Sequence, residues 1–151
     1  MKQNIALINK DKIDKTILFE QYRIICESAD HITEKRQNMN NFYLTINSFI
    51  LTVAGYFSTN NFHNLIPFFA SGIGGIICVI WSTNIDSFKK LNSAKFKVIH
   101  ELENHLPAQI FKKEEEYLYK YHKLTSIEKK IPYVFLIFYI ILLVMSLIRI
   151  M

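Results

Sequence analysis

Between Asp14 and Phe57 the apolar positions recur at alternating intervals of four and three. They run Leu18, Tyr22, Ile25, Ala29, Ile32, then across Arg36 to Met39, Tyr43, Ile46, Ile50, Val53 and Phe57. Intervals of four and three keep every one of these positions on the same face of an α-helix. The stretch contains no proline, and Gly55 is its one glycine, so the pattern predicts a single helix of about 44 residues, roughly 66 Å long at 1.5 Å per residue. The seam can be covered in two ways: by this chain's own other helices, or by a second chain. For the second, Leu18, Tyr22, Ile25 and Ile32 are the candidate oligomer-interface residues.

Charge divides the chain more sharply than hydropathy does. No Asp, Glu, Lys or Arg occurs in the 49 residues from Gln37 to Ile85, nor in the 18 from Ile131 to Ile148. A bilayer core of about 30 Å takes roughly 20 helical residues, so the longer stretch is expected to be a hairpin of two crossings. Its break falls at Ser58–Asn64, with Pro67 close behind, giving spans at 41–57 and 65–82. A third span is expected at 131–148, entered through Pro132, whose missing donor costs nothing in a first helical turn. The expected organisation is a cytoplasmic N-terminal helix (1–40), a transmembrane hairpin (41–82), a cytoplasmic helical region (83–130), the third span and a short extracytoplasmic tail (149–151).

Orientation is read from Lys and Arg. Residues 1–40 carry seven basic and six acidic side chains, residues 83–130 carry ten and seven, and the hairpin loop carries none. The N-terminus and the middle segment are therefore expected in the cytoplasm. Trp81, Tyr56 and Tyr133 fall near span ends, where interfacial aromatics sit.

The second span is expected to continue into the cytoplasm, because no helix breaker separates Ser82 from Leu106 and a mostly apolar stripe runs on through Ile85, Phe88, Asn92, Lys95, Ile99, Leu102 and Leu106. Pro107 should end it. A further helix is expected over Ala108–Lys123, with Thr125 or Ser126 capping a last turn that leads back to the bilayer.

Composition agrees: half the residues are hydrophobic, 21% are charged and seven are Gly or Pro. That excludes intrinsic disorder, and the two cysteines, Cys26 and Cys78, exclude a disulfide scaffold. The first membrane-length apolar stretch begins near Phe42, so a cleaved signal peptide is not expected. The net charge of +5 is spread among acids with no aromatic-interleaved basic block, which points to anionic lipid as a neighbour and not to nucleic acid.

Within the spans, polar and small residues form stripes of their own. Asn41, Thr45, Ser48, Thr52 and Gly55 lie on one face of span one. Ser71, Gly74, Gly75, Cys78 and Ser82 lie on one face of span two. Span three offers only Ser146 beyond Pro132. Such stripes let helix backbones approach and hydroxyls bond across helices, or they line a pore or groove in an oligomer. Asn47, off the stripe, reads as interhelical hydrogen-bond glue.

No catalytic, cofactor or metal site is expected. The five histidines form no H-E-x-x-H, and His100 and His105 diverge by about 140° on a helix. Glu101 and Glu103 point to different faces, and Glu114–Glu116 reads as a solvated face. There is no phosphate loop, G-x-S-x-G or CxxC, and the spans hold none of the ionisable residues that carriers place at mid-membrane.

One motif is distinctive. Trp81 is followed by Ile85, Phe88, Leu91, Asn92, Lys95, Phe96, Val98, Ile99, Glu101, Leu102, Glu103, Leu106 and Pro107, and then by I-E-x(2)-I-P at Ile127–Pro132. It resembles the RipA family of small octameric bacterial inner-membrane proteins, over roughly Tyr22–Leu147, and a pore-forming accessory protein of type VI CRISPR systems looks like a relative. The resemblance implies an all-α bundle assembled as a ring of eight, in bacteria where members are linked to intracellular growth and envelope adaptation. The Arg–His spacing of HEPN-type ribonucleases is absent here, since Arg23 is followed five residues later by Ser28 and Arg36 by Asn41. In the motif Trp81 would mark the membrane interface. Phe88, Leu91, Phe96, Ile99 and Leu102 would fill a cytoplasmic core, and Asn92, Lys95, Glu101 and Glu103 would fix register.

The expected function is therefore non-enzymatic: a self-associating inner-membrane protein, a homo-octameric pore or scaffold. The alternative is a membrane adaptor or regulatory subunit that binds an envelope-biosynthesis enzyme through its helical cytoplasmic part.

Overall fold

The computed structural model describes residues 15–59, 65–118 and 127–150. They form four helices and, among the described residues, no strand: α1 (Lys15–Thr59), α2 (Leu65–Glu103), α3 (Ile110–Leu118) and α4 (Lys130–Ile150). The unbroken first helix, 45 residues long, follows from the uninterrupted apolar period and the want of breakers. α2 stops at Glu103, short of Pro107; His105 and Leu106 turn back to donate to the carbonyls of Leu102 and Glu103 at 3.0 and 3.1 Å. These short bonds satisfy acceptors that the helix end would leave bare. α3 is described only to Leu118, and the expected cap at Thr125 or Ser126 lies outside the described residues.

The chain divides into two compact units. Of the described residues, one combines 15–32 with 92–118, the other 33–59 and 65–91 with 127–150. In the first, Leu18, Ala29 and Ile32 of α1 and Ile99 and Leu102 of α2 are buried. In the same unit the rings of Tyr22 and Phe96 both meet Phe111, with centroids 6.3 Å apart for Tyr22–Phe111 and 5.9 Å for Phe96–Phe111. Of the candidate interface residues, Leu18 and Ile32 are thus buried within the chain, and Tyr22 and Ile25 are half-buried. Leu91, expected in the cytoplasmic core, belongs to the second unit and is 47% exposed.

In the second unit Tyr43, Trp81 and Ile85 form the buried cluster, flanked by Met39, Ile46, Ile77, Ile131 and Phe135. Trp81 corrects the expectation of an interfacial aromatic. It is 2% exposed, it stacks on Tyr43 at 5.7 Å and 17°, and its indole N–H donates to Asn40 Oδ1 at 2.9 Å. A buried indole needs such an acceptor, and the uncharged Asn40 supplies one without a burial cost for charge. Tyr56 and Tyr133 do face outward.

Among the described residues α2 and α4 are long and apolar enough to cross a membrane, and α1 is not counted with them. Polar Asn41, Thr45, Asn47, Ser48 and Thr52 dilute the 41–57 stretch. Most of the apolar surface of α2 and α4 points away from the chain, including Ile73, Ile76, Val79, Ile137, Ile141 and Ile148. Lipid or another protein must cover it.

Candidate functional site

Asn47, Cys78, Tyr139 and Ser71 are polar side chains sealed inside the second unit, and the first three join its three helices. Asn47 is 0% exposed, Cys78 and Tyr139 are each 2% exposed, and Ser71 is 2% exposed. The Asn47 amide nitrogen donates to the Tyr43 carbonyl of its own helix at 2.8 Å. Its Oδ1 accepts from the Cys78 thiol at 3.4 Å and from the Tyr139 hydroxyl at 3.1 Å, and the same hydroxyl lies 3.1 Å from the Asn47 backbone carbonyl. Every polar atom of the amide has a partner, as burial in an apolar surrounding requires. Asn47 is therefore the interhelical glue that its lone polar position suggested.

Tyr139 was not foreseen. On α4 it falls midway between Pro132 and Ser146, and these three are the buried residues of the helix. Their seven-residue spacing is the signal that could have found it. Room for the ring comes from α2: a Cβ built at Gly74 would clash with the Tyr139 ring carbons. So Gly74 of the α2 stripe serves an internal contact; Ser71 and Cys78 are buried with it, and Gly75 and Ser82 are half-buried.

The stripe of α1 behaves oppositely. Asn41, Thr45, Ser48 and Thr52 are all exposed, and nothing lies within 4 Å of a Cβ placed on Gly55. Thr45 and Thr52 turn their hydroxyls to the carbonyls of Asn41 and Ser48, at 2.9 and 2.8 Å. Each keeps lone pairs for an outside donor.

Between α2 and α4 lies a groove of about 140 Å³, lined by Cys78, Val79, Ser82, Thr83, Pro132, Tyr133 and Leu136. No residue of α1 lines it. Nearby, Lys129 pairs with Asp86, and Arg36 Nε approaches Glu128 Oε2 at 3.8 Å with both side chains mostly buried. The Lys129 ammonium, hydrogen-bonded to Asp86, holds that carboxyl below its ordinary value.

In the first unit the motif residues separate by role. Glu103, 0% exposed, takes the Tyr22 hydroxyl at 3.1 Å and the backbone N–H groups of Phe111 and Lys112 at 2.8 and 3.1 Å. Lys113 N–H bonds the Gln109 carbonyl at 3.2 Å, so Phe111 and Lys112 are in the first turn of α3. The last residue of α2 thereby caps α3, where a carboxylate meets both unpaired donors and the positive end of the helix dipole. Burial, then the bond to Glu103, pushes the Tyr22 phenol well above its ordinary pKa. Lys95 donates to the Ser28 carbonyl at 3.2 Å and to its hydroxyl. Asn92, Phe96 and Leu106 are half-buried, while Glu101 and Pro107 are exposed; Phe88, in the second unit, is half-buried. Cys26 and Cys78 are free thiols. Among the described residues no group of three His, Cys, Asp or Glu could hold a metal ion.

The Octameric membrane protein family (8xMP) matches residues 19–148, a range that includes α1 from Phe19, all of α2 and α3, and α4 to Ile148. No curated protein matches the chain, and no solved structure does.

Proposed function

This chain belongs to the octameric membrane protein family, and we propose that eight copies form a ring in the bacterial inner membrane that acts as a pore. In this reading three helical segments cross the bilayer, 41–57 of α1 joining the two apolar helices α2 and α4. The Lys and Arg asymmetry keeps the N-terminus and the first unit in the cytoplasm. The protein is non-enzymatic, and its link to envelope adaptation is through what the ring passes or holds.

The observation that carries the pore is the exposure of Asn41, Thr45, Ser48 and Thr52. Asparagine and hydroxyl groups are unfavourable against hydrocarbon, and the chain itself does not cover these four. Water along a ring axis would. The stripe has no fixed charge, so such a pore selects weakly among ions.

The test is flux through liposomes carrying protein whose mass has been measured as an intact ring. Thr45→Leu with Thr52→Leu should reduce flux by dewetting the stripe while the mass stays the same. An intact wild-type ring that passes no ions or small solutes at any voltage or pH is a scaffold or adaptor instead. A double variant that falls to monomers makes the stripe packing glue.

A further inference from the structure

A closed ring of eight identical chains needs two different surfaces on each copy, one to give and one to receive. We propose that Phe42 of one copy inserts into the α2–α4 groove of the next, and that this contact closes the ring at membrane level. It deepens the ring reading above and rests on it.

The receiving surface is a half-open groove. Its volume, about 140 Å³, suits one phenyl ring, since an apolar protein cavity of about 150 Å³ takes up benzene. Small Cys78, Ser82 and Thr83 form one wall, and Pro132, Tyr133 and Leu136 form the other. Being lined by α2 and α4 without α1, it is open to an occupant from outside the chain.

Depth selects the occupant. A ring axis along the membrane normal keeps every residue at one height in all copies. Within the chain, Asn40 meets Trp81, Tyr43 meets Asn84 and Asn47 meets Cys78. Groove residues 78–83 therefore lie at the height of residues 40–47 on α1. In that stretch the outward aromatic is Phe42, 57% exposed, whereas Tyr43 is 8% exposed in the core.

The next turns repeat the match. Phe49, seven residues on, is 67% exposed, and at its height α2 presents Gly75, seven residues before Ser82. A Cβ on Gly75 would meet only the Leu136 methyl, at 3.8 Å. Knobs and small-residue holes thus share one spacing on antiparallel helices, the arrangement by which membrane helices approach closely. At 3.6 residues per turn the Phe42–Phe49–Tyr56 ridge sits about 70° round α1 from the Asn41–Thr45–Ser48–Thr52 stripe. One face can meet a neighbour while the other meets the axis.

Asn38→Cys and Thr83→Cys, which flank the contact and keep the Phe42 ring, combined in a Cys26→Ser, Cys78→Ser background and oxidised in native membranes, should give a cross-linked ladder reaching eight copies. Either cysteine alone should give none. Phe42→Ala, and Ser82→Trp, which fills the groove, should each lower the octamer fraction at least tenfold, while Phe42→Leu keeps it. If the double-cysteine protein has the mass of eight copies yet yields only monomer after oxidation, lipid or another surface fills the groove and the proposal is overturned. If the wild-type mass in nanodiscs is not that of eight copies, the ring reading fails first and this contact fails with it.

Discussion

Tyr139 and Asn47 lie 92 residues apart in sequence, yet the phenol hydroxyl sits 3.1 Å from both oxygens of the asparagine. The Cys78 thiol reaches the same amide oxygen from α2. One uncharged side chain on α1 is in this way the meeting point of three helices. In hydrocarbon this directs assembly, because apolar contact alone does not distinguish one helix face from another.

Tyr139→Phe keeps the ring and removes the hydroxyl, so Asn47 retains only the Cys78 donor. The cost should be about 0.6 kcal/mol, and at most roughly 1.7 kcal/mol, the range for interhelical hydrogen bonds in membranes. Asn47→Ala should cost more, about 1–3 kcal/mol, because a buried phenol and thiol lose their acceptor. Thermal unfolding in detergent checks the order. Tyr139→Phe matching or exceeding the loss of Asn47→Ala would contradict it.

Gly74 and Gly72 differ sharply although two residues apart. A methyl at Gly74 meets the Tyr139 ring, whereas one at Gly72 has nothing within 4 Å. Gly74→Ala should destabilise by about 1–3 kcal/mol through overpacking. Gly72→Ala should be neutral, or up to about 1 kcal/mol more stable by helix propensity. Equal unfolding midpoints for the two variants would mean that Tyr139 can move aside.

Much of this fold was legible in the spacing of residues. The seam from Leu18 to Phe57 predicted one continuous helix, and residues 15–59 form one, because breaker-free periodicity leaves few alternatives. Asn47 stood out as the polar residue off the stripe. What escaped was the direction in which each stripe faces. Thr45 and Ser71 look alike in sequence, but Thr45 faces outward and Ser71 is buried. That difference depends on which helix neighbours which, and spacing within one helix cannot carry it. Trp81 was misplaced for the same reason: closeness to a span end suggests the interface, while Asn40 and Tyr43 on another helix determine its burial. The Glu103 cap joins two helices through a turn, which no heptad records.

The cap itself is testable. Glu103→Ala removes the acceptor of two first-turn amides and of Tyr22, and cap losses of this kind cost roughly 0.5–2 kcal/mol. Hydrogen exchange at Phe111 and Lys112 should accelerate. Glu103→Gln, which keeps one acceptor oxygen, should lie between Ala and wild type, and Tyr22→Phe should leave the two amides nearly as protected as before. Unchanged exchange in Glu103→Ala would show that α3 does not depend on the carboxylate.

Asp86 should make the second unit acid-sensitive. Its hydrogen bond to Lys129, chiefly, and the charges of Lys129, Lys90 and Lys89 hold its pKa below the ordinary 3.8, against the opposing effect of burial. A carboxyl whose folded pKa is depressed adds stability in full above its unfolded value. That addition is lost as pH falls from about 4 through the folded value, because the unfolded chain takes up the proton first. The unfolding midpoint of wild type should therefore drop between pH 5 and pH 2 by more than that of Asp86→Asn, which has no proton to bind. Raising the salt to about 1 M should narrow the difference, since Asp86 and Lys129 are both partly exposed and a Debye length of about 3 Å screens them. Parallel midpoints for the two proteins across that pH range would show that the pair contributes nothing to stability.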